Sequence, residues 1–446
     1  MFAAVTLLPL AIFVLVALRR GVERAFVWVG LPALLLLPNY YTYKLPGIPR
    51  FDFTCYVLLA SAAGMAWRTF RPSLFDLGVL LYVVLITAAE WSAKSAHEAR
   101  NLFALSTMGI LAPYVIGKCL ARRREALLAV VAMIVALGAL IGWLSPYEAR
   151  MGANPFDWLR GLWPHHVPWD GALYRGGFRR VAGPFAHPIC HGFFFSFSIP
   201  LFLWLRRENP RLRGTTGKLL LAGNLLGLAF ALSRGPILGL LITLWGITFG
   251  WTRRRALLVV LTGLVALVGV TVSFDAVTSY FEVTRGEATT ESQETAAYRK
   301  EMLEAYWECV LEHPWLGFGK DQIPVLKGMK SIDNQYLFLS LTYGLPAAFV
   351  FLGLLLVPAG LASLQLLLRG RRQNADHDLQ WVLAASLFGA ILTQLTVFSG
   401  TQTTQVLFLV IGLLVGSRLE TRGSRASSPE TRPASRGSLA PLPGHS

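Results

Sequence analysis

The chain has 446 residues, of which 54% are hydrophobic and 15% are charged, with a net charge of +16 and a mean hydropathy of +0.51. This composition excludes an ordinary soluble protein. The basic residues lie mainly in short segments between apolar runs, so their charge indicates membrane topology rather than nucleic-acid binding.

Successive apolar runs predict an all-α polytopic membrane protein with about 12–13 transmembrane helices, because one span needs roughly 20 apolar residues. The predicted spans are 2–18, 25–39, 53–67, 74–93, 101–119, 125–144, 187–205, 218–233, 236–251, 256–274, 335–358, 378–398 and 403–417. They form one membrane domain over residues 1–419. The tail at 420–446 is rich in Ser, Pro, Arg and Gly and is predicted to be disordered.

The basic residues also predict the orientation. More than half of the 41 lysines and arginines fall in alternate connecting segments, at 19–24, 68–71, 118–124, 206–218, 253–255, 369–372 and 418–436. The positive-inside rule places these segments in the cytoplasm, with the N-terminus outside and the C-terminus inside. Two long segments, about 145–186 and 275–334, then lie outside, which indicates chemistry on the external face.

The four cysteines show no zinc-site or CxxC spacing. Two of them, Cys190 and Cys309, fall near external segments, so a disulfide between them stays open at this point.

A short polar break separates two apolar runs that are each too short for a comfortable span, 219–232 and 237–251. The break reads Ser233-Arg234-Gly235-Pro236. It predicts a turn below the membrane surface, where a charged residue is costly and usually functional. Pro236 is typical of a helix start, so Arg234 and Ser233 would lie beside backbone N–H groups that attract anions. We interpret this as an anion site inside the membrane domain.

The first external segment carries tryptophans, among them Trp158, Trp163 and Trp169, that are either interfacial anchors or a platform for sugar rings. It also carries Arg179 and Arg180, shortly before the span that begins at His187. These arginines are either anchors to lipid headgroups or ligands for a phosphate group.

The second external segment is acidic, and its residues 294–312 have helical periodicity, which predicts a helix lying as a cap over a site. His313-Pro314 ends that helix. The segment closes with Asp333-Asn334-Gln335-Tyr336 at the next span. Asp333 is either the helix N-cap or a catalytic group, and the two roles are compatible. This segment contains no Asp-x-Asp pair, so a metal bridging a diphosphate is not indicated there.

Four stretches carry a family resemblance when they are taken in order. They are Arg180-x-x-Gly183-x-Phe185-x-x-Pro188, Ser233-Arg234-Gly235, Pro314-Trp315-Leu316-Gly317-Phe318-Gly319, and Asp333-Asn334-x-Tyr336-Leu337 followed by Gly344-Leu345. Together they resemble the O-antigen ligase and polymerase superfamily, with a core at about 180–360. The flanking spans fit the many-helix plan of that superfamily.

This resemblance implies an inverting, metal-independent glycosyltransferase without a cofactor. Members act at the periplasmic face of the bacterial inner membrane on undecaprenyl-diphosphate-linked glycans. The implied partners are that donor, a saccharide or glycolipid acceptor, membrane lipid and other polysaccharide-export proteins, with no nucleic acid. In ligases the loop usually ends in His-Asn, whereas this chain has Asp333. That departure favours a polysaccharide polymerase, or a ligase-like enzyme with another acceptor.

The residues allow a mechanism in which arginines stabilise the leaving diphosphate and a base activates the acceptor hydroxyl. Arg234 and Arg180, supported by Arg179, are the expected cations, and Asp333 is the expected base. The alternative bases are His313 and His187, and the expected substrate contacts are Ser233, Asn334 and Tyr336, with Glu282 and Glu304 as further acceptor contacts.

The alternative hypothesis is a transporter or flippase of lipid-linked oligosaccharides, since such a protein would bind the same diphosphate group. Transporters often carry broken helices at matching positions in two related halves. The sequence indicates one break, at Arg234, without a partner in the other half, which favours the enzyme.

Overall fold

The computed structural model describes residues 2–39, 41, 52–94, 96–158, 173–272, 291–329, 331–368 and 375–426. Almost all regular structure in these ranges is helical, as the apolar runs predict. The N-terminal half contains α1 (Phe2–Arg20), α2 (Val22–Ala25 continued by Phe26–Gly30 and Leu31–Leu36), α3 (Cys55–Thr69), α4 (Leu74–Ala93), α5 (Ala96–Leu120) and α6 (Arg124–Met151). Five-residue π-helical turns interrupt α2 and α5, at Phe26–Gly30 and Thr107–Leu111.

A two-stranded hairpin follows, and then the remaining helices. The strands are β1 (Tyr174–Arg175) and β2 (Phe178–Arg179). The helices are α7 (Pro188–Glu208), α8 (Thr215–Phe230), α9 (Arg234–Trp251), α10 (Arg255–Val272), α11 (Glu291–Glu312), α12 (Gln335–Leu368), α13 (Ala375–Gln394) and α14 (Thr401–Ala426). The helix α14 continues to Ala426, into the tail predicted to be disordered, and residues 427–446 lie outside the described ranges.

Every predicted span coincides with a helix. Among the described residues, five helices are long and apolar enough to cross a membrane by length and composition, namely α4, α5, α6, α7 and α12. The chain is therefore an all-α polytopic membrane protein, as predicted. The helix expected over 294–312 is also confirmed, as α11.

The centre of the bundle is α7, which packs against α6, α8, α9 and α13. Its aromatic side chains, including Phe193 and Phe194, are fully buried. Small residues let the neighbouring helices approach closely, because a Cβ added at Gly142 of α6 would lie 1.8 Å from the carbonyl oxygen of Gly223 in α8. Buried Asn224 of α8 then donates to the carbonyl of Val135 in α6 (3.1 Å). These contacts fix the ends of α6, α7 and α8 that carry the site.

All four cysteines, Cys55, Cys119, Cys190 and Cys309, are free and buried. The disulfide left open between Cys190 and Cys309 does not form. Instead, the Cys190 thiol accepts a hydrogen bond from the backbone N–H of Gly400 (3.3 Å).

A second interrupted helix, which the sequence did not indicate, lies in α12. Gly344 has φ 84° and ψ 166°, so the helix breaks there, just before Pro346. The segment 314–319 replaces the lost helical bonds through three backbone contacts: Phe318 N–H to Leu341 O (2.8 Å), Gly319 N–H to Thr342 O (2.9 Å) and Leu345 N–H to Pro314 O (2.8 Å). The expectation of a single break is therefore wrong, and the Trp315-Leu316-Gly317 stretch has a structural role at this one.

We expect Gly344→Ala to destabilise the protein by about 1–3 kcal/mol, because that backbone conformation is essentially restricted to glycine. An added Cβ would also lie 2.3 Å from the carbonyl oxygen of Trp315. The matched control is Gly353→Ala in the same helix, where no atom lies within 4 Å of the added Cβ. Thermal unfolding in detergent measures both, and equal melting temperatures for the two variants would contradict this account of α12.

Candidate active site

The turn between α8 and α9 is the break predicted around Arg234. Among the described residues, Leu232 in this turn is the one non-glycine residue with a positive φ, 46°. The last carbonyls of a helix lack partners within the helix. Here they are satisfied from segment 175–181: Val181 N–H donates to Phe230 O (3.0 Å), Arg180 Nε to Ala231 O (3.1 Å) and Arg175 Nη1 to Leu232 O (2.8 Å). Arg175 and Arg180 therefore satisfy two of the backbone carbonyl groups at the break.

The hairpin of β1 and β2 positions these arginines. Gly176 and Gly177 form its turn with φ values of 56° and 79°, the signs that a type I′ turn requires. The strand register pairs Arg175 with Phe178, and Arg180 N–H donates to Leu173 O (2.8 Å). Because cross-strand partners share a face, Arg175 and Arg180 lie on one face of the hairpin.

Arg179 lies on the opposite face of the hairpin from Arg180. It interacts electrostatically with Glu148 of α6, and its guanidinium lies beside Gly152. Glu148 in turn accepts hydrogen bonds from the N–H groups of Ala182 and Gly183, both at 3.0 Å. The structure thus gives Arg179 a supporting position, in which it helps to fix the segment after Arg180, and does not bring it to the break.

Arg180 lies near two other charged groups, Arg175 and Asp333. Burial lowers the pKa of Arg180 to about 10, the nearby Arg175 lowers it as well, and Asp333 acts in the opposite direction. The guanidinium stays charged at neutral pH. Two cations and one carboxylate therefore meet at the α8–α9 break, which leaves an excess positive charge that suits an anionic group.

His187 is the N-cap of α7, and its Nδ1 accepts a hydrogen bond from Ile189 N–H (3.1 Å). Burial lowers the pKa of His187 to about 4, and the charge of Arg180 lowers it further against the opposing effect of Asp333. The ring is neutral at pH 7, and its proton is on Nε2 because Nδ1 is an acceptor. A buried, neutral ring whose Nδ1 already accepts a hydrogen bond disfavours the predicted alternative of a base.

The pKa of His187 predicts a stability effect with a definite sign. Between pH 6.5 and pH 4 the unfolded chain binds a proton at this residue and the native chain does not, so stability falls as the pH decreases through this window. His187→Asn keeps an N-cap side chain and removes this dependence. We expect the melting temperature of the variant to fall less than that of the wild type between pH 7.5 and pH 5. Parallel melting curves would contradict the buried, neutral histidine.

Asp333 is not the N-cap of α12. That position belongs to Asn334, whose side-chain oxygen accepts hydrogen bonds from Tyr336 N–H and Leu337 N–H, both at 3.0 Å. Asp333 is half-buried and accepts a hydrogen bond from Ser331 Oγ (2.9 Å), and it interacts electrostatically with Arg180 and His187. The N-cap interpretation of Asp333 is therefore wrong, and its carboxylate is available to the site.

Two predicted substrate contacts have structural partners instead. The Asn334 side-chain oxygen serves the helix cap described above. Tyr336 donates its hydroxyl proton to the carbonyl of Ile391 in α13 (3.1 Å), so it joins α12 to α13 within the bundle.

The helix α11 contacts the loop that carries Asp333. Tyr298 donates its hydroxyl proton to Ser331 O (2.6 Å) and accepts from Ser331 N–H (2.9 Å), which fixes the loop that carries Asp333. Its neighbour Arg299 donates from Nη2 to Thr396 O (3.3 Å). The Thr396 side chain borders the start of α9, because a Cβ added at Gly235 would lie 2.8 Å from its Oγ1. Arg299 thus adds a further cation on the α9 side of the break.

Of the remaining predicted residues, two lie at the start of α9 and one lies away from the break. Ser233 is the buried N-cap of α9, and Arg234 is the first, exposed residue of that helix. His313 is exposed at the far end of α11, packs against Phe318 with ring centroids 4.4 Å apart, and lies roughly 21 Å along the helix from Arg299. His313 therefore does not join the cluster.

Of the further acceptor contacts predicted above, Glu304 is exposed on α11 and Glu282 lies outside the described residues. The tryptophans Trp163 and Trp169 of the predicted sugar platform also lie outside the described residues. Within the described ranges, no three His, Cys, Asp or Glu side chains are grouped so as to hold a metal ion.

The sequence interpretation missed Arg175 and Arg299. A signal for Arg175 was present, because a Gly-Gly pair between alternating residues indicates a tight hairpin that would bring Arg175 opposite Arg180. Arg299 carries no such signal, since its position depends on how α11 packs over α9 and α13.

The fold and this cluster define a polytopic membrane protein whose cationic site lies at an interrupted helix, at one end of the bundle. Residues 219–352 match a protein-family model described as O-antigen ligase. The resemblance to the O-antigen ligase and polymerase superfamily is thereby confirmed over these residues, which include Arg234 and Asp333. Arg175 and Arg180 lie before the matched region. A comparison with curated proteins gave no match.

Proposed function

We propose that this protein is an inverting membrane glycosyltransferase that moves a glycan from an undecaprenyl-diphosphate carrier to a sugar hydroxyl at the periplasmic face. The family match indicates an enzyme of the ligase or polymerase type, with lipid-linked glycan and saccharide substrates in the membrane. The observation that carries the proposal is the meeting of Arg175, Arg180 and Asp333 at the α8–α9 break.

The cations suit the donor. A diphosphate leaving group gains negative charge as its bond to the sugar breaks, and guanidinium groups pair with phosphate oxygens through two N–H donors. Arg180 and Arg175 are fixed before substrate arrives, because their bonds to the carbonyls of Ala231 and Leu232 orient them. Preorganised donors stabilise developing charge without reorganisation during the reaction. Arg234 and the N–H groups at the start of α9 supply further positive charge.

The carboxylate suits the acceptor. In the proposed step the acceptor oxygen forms a bond to the anomeric carbon from the face opposite the diphosphate, and the bond from that carbon to the phosphate oxygen breaks. The electron pair stays on the diphosphate, and the hydroxyl proton passes to Asp333. A positioned base typically contributes 10²–10⁴-fold. No metal takes part, so we expect EDTA to leave the rate unchanged.

The test uses purified protein in detergent with an undecaprenyl-diphosphate oligosaccharide and EDTA, and the products are resolved on a gel. A ladder of longer lipid-linked chains supports a metal-independent polymerase. Transfer only after addition of a lipid A–core acceptor supports a ligase-like enzyme. Arg234→Ala is the negative control, since it should insert and accumulate but form no product. Activity that requires a divalent cation would overturn the proposed chemistry.

Transport of lipid-linked oligosaccharides is the second candidate, and the interrupted helix at Gly344 is the observation that favours it. Paired broken helices are typical of transporters. However, segment 314–319 already satisfies the backbone groups of this second break. Reconstitution in liposomes with labelled donor separates the two candidates, because translocation without any new glycosidic bond would support the transporter.

A further inference from the structure

A cavity of about 760 Å³ opens between α1, α2, α3 and the start of α6, away from the candidate active site. Its volume lies in the range of roughly 300–1,000 Å³ typical of small-molecule sites. The charged residues that line it are Arg20, Arg24, Arg68, Arg123 and Arg124, with Glu23 and Glu125. The lining is therefore strongly basic.

The helix α6 separates this cavity from the candidate active site. Arg124 begins the helix beside the cavity, whereas Glu148, near the other end, fixes the segment after Arg180. The 24 residues between them span roughly 36 Å at 1.5 Å per residue. This distance exceeds the roughly 30 Å hydrocarbon core of a bilayer. The cavity therefore lies at the opposite membrane face from the arginine cluster at the break.

The two lining carboxylates, Glu23 and Glu125, neutralise only part of the charge of the five lining arginines. Glu23 pairs with Arg123, with Nη1 and Oε1 3.0 Å apart, and Arg124 pairs with Glu208. Within the described parts of the chain, Arg20, Arg24 and Arg68 make no ion pair with a carboxylate. All three are exposed, so their guanidinium groups are accessible to an anion from outside the protein.

The cavity also has an apolar wall. Val22, Val27, Met65, Ala126 and Ala129 contribute to its lining. Trp28 lines it as well and is 63% exposed, as is typical of tryptophans at a membrane interface. Cations beside an apolar wall match a phosphate group that is attached to an acyl-bearing glycerol better than they match a hydrated inorganic ion.

We propose that this cavity binds the phosphate headgroup of an anionic phospholipid, held by Arg20, Arg24 and Arg68. Arginine pairs with phosphate oxygens through two N–H donors. Basic pockets between transmembrane helices bind phosphate-bearing lipids in this way. The site is independent of the proposed glycosyl transfer, because it lies at the other face of the bundle.

Native mass spectrometry of the full chain tests the proposal with phosphatidylglycerol, cardiolipin or phosphatidylcholine added to protein in a neutral detergent. The cavity variant is Arg24→Gln with Arg68→Gln. The matched control is Arg253→Gln with Arg254→Gln, which removes two exposed arginines from the loop between α9 and α10. A basic residue that meets an anionic lipid headgroup contributes roughly fivefold. Arg24 and Arg68 line the cavity and Arg253 and Arg254 do not, so we expect about 30-fold weaker retention of anionic lipid in the cavity variant and little change in the control.

Four outcomes would overturn the proposal. Equal losses in the cavity and control variants would mean that general surface charge retains the lipid, and no loss in either variant would mean that Arg24 and Arg68 do not hold it. Wild-type retention of phosphatidylcholine equal to that of the anionic lipids would mean that the net negative charge of the headgroup is not recognised. Binding of glycerol phosphate or pyrophosphate as tight as that of the lipids would assign the site to a soluble phosphate. Melting temperatures in neutral detergent confirm that both variants are folded.

Discussion

Replacing Arg180 by alanine is expected to lower the rate of glycan transfer by about 10²–10³-fold, the typical effect of removing one preorganised donor from developing negative charge. Arg180 is half-buried and charged at neutral pH, and it interacts electrostatically with both Arg175 and Asp333. Its fixed orientation, through Nε to the carbonyl of Ala231, is what makes the donor preorganised. Single-turnover rates with a lipid-diphosphate donor measure the change.

The neighbouring arginine provides the matched control. Arg179→Ala removes the same charge one residue away, but that side chain faces Glu148 on the opposite side of the hairpin. We expect Arg179→Ala to lower the melting temperature and leave the rate within a few fold of the wild type. Arg180→Lys keeps the charge without the planar fork and should give an intermediate rate. Equal rate losses for Arg179→Ala and Arg180→Ala would contradict the assignment.

Much of the fold could be predicted because apolar runs of sufficient length have few alternatives in a membrane. The break at Arg234 was also predictable, since two runs too short to span a bilayer flank a charged turn. The break at Gly344 was missed, although a proline inside a helical run signals a kink, because Gly344 and Pro346 lie inside a long apolar run. The contact with 314–319, a segment about thirty residues away, stabilises the break, and sequence periodicity carries no information about such pairing.

Part of the candidate site could also be predicted, because charged residues between apolar runs are easily recognised in the sequence. Arg180, Arg234 and Asp333 stand at segment ends, where a charge between apolar runs is conspicuous. Which of Arg179 and Arg180 points to the break depends on the face of the hairpin that each occupies. Those faces are set by the strand register, which was not predicted from the sequence. The choice between Asp333 and Asn334 as helix cap depends on one residue of helix boundary, which sequence patterns do not resolve. Arg299 depends on the packing of α11, which is tertiary structure.

Asp333→Asn is expected to lower the transfer rate by about 10²–10⁴-fold, the range for loss of a general base. The amide keeps the shape of the side chain and can still accept the hydrogen bond from Ser331 Oγ. Because the cap of α12 belongs to Asn334, the substitution should leave the melting temperature nearly unchanged. Donor binding should also persist, since Arg175 and Arg180 are untouched.

Variants of Asn334, the residue after Asp333, distinguish an effect on catalysis from an effect on folding. Asn334→Ala removes the side-chain oxygen that accepts from Tyr336 N–H and Leu337 N–H, and it should cost about 1 kcal/mol of stability. Its rate per folded molecule should stay close to that of the wild type, and Asn334→Asp should restore the cap. We therefore expect Asp333→Asn to lower the transfer rate without changing the melting temperature. We expect Asn334→Ala to lower the melting temperature without changing the transfer rate. A base role for Asp333 is excluded if Asp333→Asn retains the wild-type rate, because an amide cannot take the acceptor's proton at neutral pH.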